Sequence, residues 1–144
     1  MKWHSLYRVF PECPEPPFLL DGGGEDAAIR RLRSFGLDSK VISLLGCAGE
    51  RETVEVVAGA IGMPQDVENW DAFWDLLQEF FVDPEKTVVV HISDAGQIAE
   101  RDVRRFARMV VRFSRITESV ERGGQGASQL EFVYWGSWGR VTGG

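Results

Sequence analysis

Two aspartates four residues apart, Asp71 and Asp75, are the side chains with the clearest potential for chemistry in this sequence. On a helix this spacing places both carboxylates on one face. A carboxylate pair can work as an acid and a base, but only in a concave site that separates the two pKa values, and an outward helix face does not supply one. Two fixed negative charges are better suited to bind a basic partner.

The residues around the pair predict the helix that carries it. Apolar residues recur at helical spacing and form a core-facing stripe of Trp70, Phe73, Trp74, Leu77, Phe80 and Phe81. Asn69 precedes the stripe and is a suitable N-cap. Like charges at i and i+4 repel by roughly 0.2–0.5 kcal/mol, so helix stability does not explain the pair. A structural role stays open for Asp71, because the helix dipole favours a carboxylate in the first turn.

Other residue types give little support for catalysis or metal binding. His91 lies within an apolar run, which favours a hydrogen-bonded core position over a catalytic one. Residues 66–71 lack the glycine and the closing glutamate of a calcium-binding loop. Gly22-Gly23-Gly24 lacks the Lys-Ser/Thr of a phosphate-binding loop. We therefore expect no enzyme activity, no metal and no cofactor.

Acidic residues are segregated along the chain. The protein has 144 residues and a formal net charge of -6, and residues 52–85 hold nine acids and no Lys or Arg. A one-sided negative field can steer a basic partner, and it disfavours direct binding of nucleic acid. Acidic surfaces also keep proteins soluble, so charge asymmetry alone leaves that alternative open.

The two cysteines and the short apolar runs indicate the cellular compartment in which the protein is expected. Cys13 and Cys47 are far apart and lack metal-ligand spacing, which fits a reducing cytosol better than a disulfide framework. No apolar run approaches the 18 residues of a transmembrane helix, and residues 1–5 lack the apolar region of a signal peptide. We expect a cytoplasmic protein with no membrane partner, monomeric when free.

Residues 1–39 are predicted to form an N-terminal extension that packs on a main domain of residues 40–144. A short alternating segment from Trp3 to Phe10 indicates a strand, and four prolines then mark a loop. After three glycines, a helix is predicted from Glu25 to Phe35, ended by Gly36.

The main domain alternates strand and helix patterns. Strands are predicted at Val41 to Cys47, Thr87 to Ile92 and Leu130 to Trp135, and helices at Glu50 to Ile61, at the aromatic stripe and at Gln97 to Glu121. Strands joined by helical crossovers pair in parallel. We therefore predict an α/β fold with a small three-stranded parallel sheet packed with helices.

The long predicted helix has two distinct faces. Its apolar stripe comprises Val103, Phe106, Val110, Phe113 and Ile116, and its basic face comprises Arg101, Arg104, Arg105, Arg108, Arg112 and Arg115. The basic face is compatible with RNA binding. Given the negative net charge, we favour arginines paired with acids such as Glu100, Asp102 and Glu118.

The stretch Glu68-Asn69-Trp70-Asp71-Ala72-Phe73-Trp74-Asp75-Leu76 resembles the signature of Glu-Asn, Asp-Ala and Trp-Asp on the inhibitory helix of the barstar family of ribonuclease inhibitors. Met63-Pro64 is similar to the apolar residue and proline that begin the binding loop of that family. The predicted order of elements also agrees over roughly residues 40 to 136.

The resemblance implies an inhibitor, or immunity protein, that fills the active-site cleft of a basic secreted ribonuclease with carboxylates at phosphate positions. Asp75 would be the central anchor, and Asp71 would pair with a second cation at the rim. Asn69 would fix the loop to the helix, and Trp74 would belong partly to the core and partly to the interface. The implied partner-binding set is completed by Gln65, Asp66 and Glu68.

The sequence departs from the family pattern in the loop before the aromatic helix, which is one residue shorter, at Phe80, which stands near a tryptophan position, and on the long helix. Gln65, Asp66 and Val67 occupy the loop where the family often has tyrosines and a glycine. The long helix is rich in arginine where the family has a further acidic contact. A barstar-like module that binds a non-ribonuclease basic toxin or another cationic protein therefore stays open as the alternative.

Overall fold

One parallel sheet organises the protein, and its strands lie in the spatial order β1-β4-β3-β2. The computed structural model describes residues 6, 10, 16–63, 66–80, 87–123 and 129–138, with the backbone alone at 78–80 and 121–123. The strands are β1 (Phe18–Asp21), β2 (Asp38–Ile42), β3 (Thr87–Ile92) and β4 (Gln129–Gly136). The helices are α1 (Glu25–Ser34), α2 (Glu50–Ala60), α3 (Trp70–Phe80), α4 (Ala95–Arg101) and α5 (Val103–Gly123). The predicted α/β fold with a parallel sheet is confirmed, and the sheet has four strands where three were expected.

The additional strand, β1, comes from the proline-rich segment that the sequence pattern marked as a loop. It begins directly after Pro17 and pairs in parallel with β4, with Phe18 opposite Val133. Since β1 is at the edge of the sheet, a preceding proline removes no ladder hydrogen bond. A single 3₁₀ turn of three glycines then leads into α1.

The rest of residues 1–39 agrees in part with expectation. The strand predicted from Trp3 to Phe10 lies mostly outside the described residues, and within it Phe10 N donates to Leu6 O at 2.7 Å, a turn contact. The helix expected from Glu25 is confirmed as α1, and Gly36 ends it with φ of 81°. The boundary at residue 39 stays a prediction.

The two faces of the sheet are covered by different helices. Because side chains alternate along a strand, Val88 and Val90 of β3 lie in the core cluster formed with α2 to α5, whereas Val89 lies in a second cluster with Leu32 of α1. Leu6 and Phe10 are buried in that second cluster. The candidate acidic helix therefore lies on the opposite face of the sheet from α1.

Strand β2 begins earlier and ends earlier than predicted. It runs from Asp38 to Ile42, and the last ladder contact beyond it is Ser93 N donating to Ile42 O at 3.0 Å. The next backbone N–H groups, those of Leu44 and Leu45, donate to the carboxylate of Asp94 instead of to a strand. The predicted strand from Val41 to Cys47 is therefore confirmed only at Val41 and Ile42 and is wrong from residue 43 onward.

The predicted long helix is two helices. Asp102 has an extended backbone, with φ of −155° and ψ of 90°, and its Oδ1 accepts a hydrogen bond from Arg105 N at 3.1 Å. This is an N-cap, so α5 starts anew after α4. Val103, placed in the apolar stripe by its spacing, is 66% exposed, whereas Phe113 and Ile116 are buried. Among the described residues, no helix combines the length and apolarity needed to cross a membrane.

Candidate functional site

Helix α3 is held against the core by the first four residues of the predicted aromatic stripe, Trp70, Phe73, Trp74 and Leu77. The side chains of Phe80 and Phe81, the last two residues of that prediction, lie outside the described part of the structure. Phe73 is fully buried, and Trp70 and Leu77 are nearly so. The Trp70 ring meets the Phe73 ring edge-on at 5.3 Å between centroids and the Phe113 ring of α5 at 6.2 Å. Trp74 is half-buried and packs on the same core. These contacts leave α3 little freedom to move as a body.

The start of α3 is capped from two directions. Asn69 Oδ1 accepts a hydrogen bond from Ala72 N at 2.8 Å, which confirms the predicted N-cap. Glu50 Oε2, in the first turn of α2, accepts a hydrogen bond from Trp70 N at 3.1 Å. The second contact was not anticipated, because the two residues are 20 positions apart. Together the two acceptors satisfy backbone donors that a helix start leaves unpaired, and they tie α3 to α2.

Asp71 and Asp75 are exposed on the outward face of α3, as predicted. Within the described part of the chain, neither carboxylate has a hydrogen bond or an ion pair. Asp71 also lies in the first turn, where the helix dipole favours it. Both carboxylates are therefore open to a partner in the free protein.

The segment before α3 presents two further acids. Asp66 and Glu68 are exposed, and Val67 between them is buried and anchors the segment. Gln65, the remaining residue of the predicted partner-binding set, lies outside the described residues. Asp66 thus extends the negative surface beyond the N-terminal end of α3.

Arg51 is a member of this surface that sequence reasoning missed. Its Nε lies 3.2 Å from Glu55 Oε1, and its Nη2 lies 3.4 Å from Glu68 Oε1. Exposed ion pairs of this kind contribute only about 0–1 kcal/mol to stability. They also change the charge of the surface, because Arg51 neutralises Glu68. Asp71 and Asp75 have no such cation within the described residues. Arg51 directly precedes the stretch that has no basic residues, but its pairing with Glu68, in the segment before α3, has no local sequence signal.

The basic face of α5 borders the acidic face of α3. The Arg112 guanidinium lies 4.7 Å from the centre of the Trp70 ring, a cation–π contact. Arg105 Nη2 donates to Leu44 O at 2.8 Å and to Cys47 O at 3.3 Å. The ion pairs expected for these arginines with Glu100, Asp102 and Glu118 do not occur in the ranges that the structure describes.

His91 is a structural residue, as its position in an apolar strand predicts. It is fully buried, and its Nδ1 accepts a hydrogen bond from Trp135 Nε1 at 3.0 Å. Because an indole can only donate, Nε2 carries the ring proton and donates to Ser39 Oγ at 3.1 Å. Burial lowers the pKa of His91 to about 4, so the ring is neutral near pH 7.

Asp94 is a buried carboxylate that serves the fold. It accepts hydrogen bonds from Ser43 Oγ at 2.6 Å, Leu44 N at 3.0 Å and Leu45 N at 2.9 Å. Burial acts to raise its pKa, but these hydrogen bonds outweigh burial, and the pKa lies below its ordinary value. Across the described residues, no three His, Cys, Asp or Glu side chains come together in a way that could hold a metal ion.

The comparison with known protein families agrees with this geometry. The family model described as Barstar (barnase inhibitor) matches residues 38–131, from the start of β2 into β4. No curated protein and no solved structure matches the chain. The matched segment covers well over half of the chain and contains the whole of α3, with both unpaired aspartates. The chain therefore belongs to the Barstar (barnase inhibitor) family.

Proposed function

We propose that this protein inhibits a basic ribonuclease by inserting the outward face of α3 into the active-site cleft of the enzyme. The observation that carries the proposal is the pair Asp71 and Asp75, both exposed and without a partner among the described residues, on a rigid helix in the segment that matches the Barstar family. A ribonuclease binds the phosphates of RNA with cationic side chains. Carboxylates at the same positions can make the same charge-assisted hydrogen bonds.

The mechanism is competitive occlusion and involves no covalent step. Asp75, in the middle of α3, is the central anchor, and Asp71, one turn earlier, pairs with a second cation at the rim of the cleft. The core contacts of Trp70 and Phe73 already fix the helix, so binding loses little conformational entropy. The half-buried Trp74 contributes to the floor of the interface.

The surface around the pair supports capture of a cation at long range. Asp66, a further exposed acid, extends the negative field beyond the start of α3, and residues 52–85 contain no Lys or Arg. Such a field raises association rates with a basic partner and weakens as salt increases. We propose that the protein acts in the cytoplasm of the cell that makes the ribonuclease or is attacked by it.

Inhibition of RNA cleavage tests the proposal directly. The full-length protein is titrated into barnase and into the basic ribonucleases secreted by the source organism, and residual cleavage is measured. We expect stoichiometric loss of activity for a cognate enzyme. Asp75→Ala should weaken binding by about 2–5 kcal/mol, the general cost of removing one partner of a buried charge pair. The barnase–barstar complex is itself one of the systems from which that range is known.

Asp26→Ala is the matched control, because Asp26 is an exposed acid on α1, on the opposite face of the sheet. It should leave inhibition within about twofold, as expected for an exposed charge remote from the interface. Equal affinity of the Asp75→Ala and Asp26→Ala variants for a ribonuclease that the protein inhibits would exclude the mechanism. Retention of a basic protein that depends on Asp75 but does not cleave RNA would instead identify a cationic partner of another class.

A further inference from the structure

Oppositely charged surfaces meet at the junction of α3 and α5. The two helices pack through Trp70 and Phe113, with ring centroids 6.2 Å apart, and the Arg112 guanidinium lies 4.7 Å from the centre of the Trp70 ring. Asp71 follows Trp70 directly in the chain. A fixed positive charge therefore lies beside the N-terminal end of the acidic face, next to the position where the edge of a bound cleft would lie.

Arg112 belongs to a row of arginines that we call the arginine face. The row comprises Arg104, Arg108, Arg112 and Arg115, and all four side chains are exposed. Their spacing of four, four and three residues places them on one side of α5 over about 16 Å. In the described part of the chain, none of them forms an ion pair with a carboxylate. Like charges at this spacing repel, so the row does not stabilise the helix.

An apolar side chain in the row favours a protein partner over RNA. Val111 lies between Arg108 and Arg115 on the same side of α5 and is 52% exposed. Arginines around an apolar residue are typical of protein interfaces, whereas contacts to phosphates need no apolar group. The net charge of -6 also opposes binding of nucleic acid.

We propose that the arginine face determines which ribonuclease this protein inhibits, by selecting an enzyme whose basic cleft is bordered by acidic side chains. This inference rests on the proposed function, because only a partner seated on Asp71 and Asp75 brings the border of its cleft to Arg112. An acidic border pairs with the arginines, and a border of further cations is repelled by them. Attraction to one partner combined with repulsion of another is a common basis of specificity.

Charge reversal on α5 tests the proposal in the full-length protein, with the basic ribonuclease barnase as the probe. Arg108→Glu/Arg115→Glu changes two exposed members of the row that contact none of the described aromatic rings. Arg30→Glu/Arg33→Glu makes the same change in net charge on α1, behind the sheet. Association rates are measured by stopped-flow mixing at low and high salt.

The α5 variant should associate with barnase about tenfold faster than the α1 variant at low salt, and this difference should shrink at high salt. Against a ribonuclease that the wild-type protein retains from the source organism, the α5 variant should bind more weakly than the α1 variant. Equal rates for the two variants with barnase, or no binding by either, would overturn the proposal.

Two further measurements separate this proposal from others. Asp75→Ala is tested in the same series. If it weakens barnase binding while the two double variants associate at equal rates, the proposal that α5 selects the ribonuclease is wrong and the proposed inhibitory function stands. If Asp75→Ala has no effect, the proposed function fails as well. A fluorescent single-stranded RNA that binds the wild-type protein and the α1 variant but not the α5 variant would overturn selection and assign the arginine face to RNA.

Discussion

The carboxylates at the start of α4 and on the outward face of α3 differ in what they contact. Asp94 is only 9% exposed and accepts three hydrogen bonds from residues 43–45. Asp75 is exposed and, within the described part of the chain, has no polar partner. The difference follows from the backbone that each carboxylate faces.

Residues 43–45 leave the sheet, so the N–H groups of Leu44 and Leu45 have lost the strand partners that β3 gives to β2. The carboxylate of Asp94 accepts hydrogen bonds from both groups and from the Ser43 hydroxyl. The N–H groups around Asp75 are already bonded within α3, so its side chain has no free backbone donor nearby. Hydrogen bonds at Asp94 thus stabilise the fold. The charge at Asp75 remains available to another molecule.

The largest effect on stability is expected from Asp94→Ala. This change removes an ionised acceptor and leaves the buried N–H of Leu44 unpaired, so the free energy of unfolding should fall by about 3–5 kcal/mol. Urea denaturation followed by circular dichroism measures the loss. Asp66→Ala, at an exposed site, serves as the control and should change stability by less than about 0.5 kcal/mol. A loss below about 1 kcal/mol for Asp94→Ala would contradict the structural role.

His91 is a second buried titratable residue, and its contribution to the free energy of unfolding depends on pH. Its pKa in the folded protein, about 4, lies below the unfolded value of 6.5, so folding favours the neutral ring. The resulting stability is fully present above pH 6.5 and is lost as pH falls through 4, a total of about 3 kcal/mol. Unfolding free energies of the wild type and His91→Gln measured from pH 7 to pH 4 isolate this contribution. Parallel pH profiles for the two proteins would refute it.

The smallest effect on stability is expected where the proposed binding role is largest. Asp71→Ala/Asp75→Ala removes two like charges at i and i+4, so the free energy of unfolding should change by less than about 0.5 kcal/mol. The same urea denaturation measures the change, with the wild-type protein as the reference. A loss above about 1 kcal/mol would show that the pair serves the fold and would remove the contrast with Asp94.

Predictions from the sequence succeeded where the physical cause is local. The stripe of α3 from Trp70 to Leu77, the Asn69 cap and the glycines that end α1 and α2 depend on residues within one or two turns, and all three are confirmed. The β-branched run of β3 likewise marks a strand buried on both faces. Element order and the acidic helix could therefore be obtained from the chain alone.

Predictions failed where a distant residue decides the local structure. Strand β2 ends at Ile42 because Asp94 takes the next N–H groups, and no pattern near residue 43 reveals this. Gly96 and Gly136 were not singled out, yet a Cβ on Gly96 would lie 2.7 Å from the Cα of Gly136, so both must be small for α4 to pack on β4. The break at Asp102 is a different case, because its cap is local but was hidden by apolar residues at helical spacing on both sides.

The sequence by itself determined the first three helices, most of the parallel sheet and the outward direction of Asp71 and Asp75, because periodicity and caps act between residues close in the chain. Only the tertiary structure decided which charges remain unpaired. It placed Arg51 on Glu68 and Arg112 over Trp70, and it left the two aspartates of α3 with no partner in the ranges that the structure describes. Pairing between charges depends on distances of a few ångströms between separate helices, and packing of the core fixes those distances.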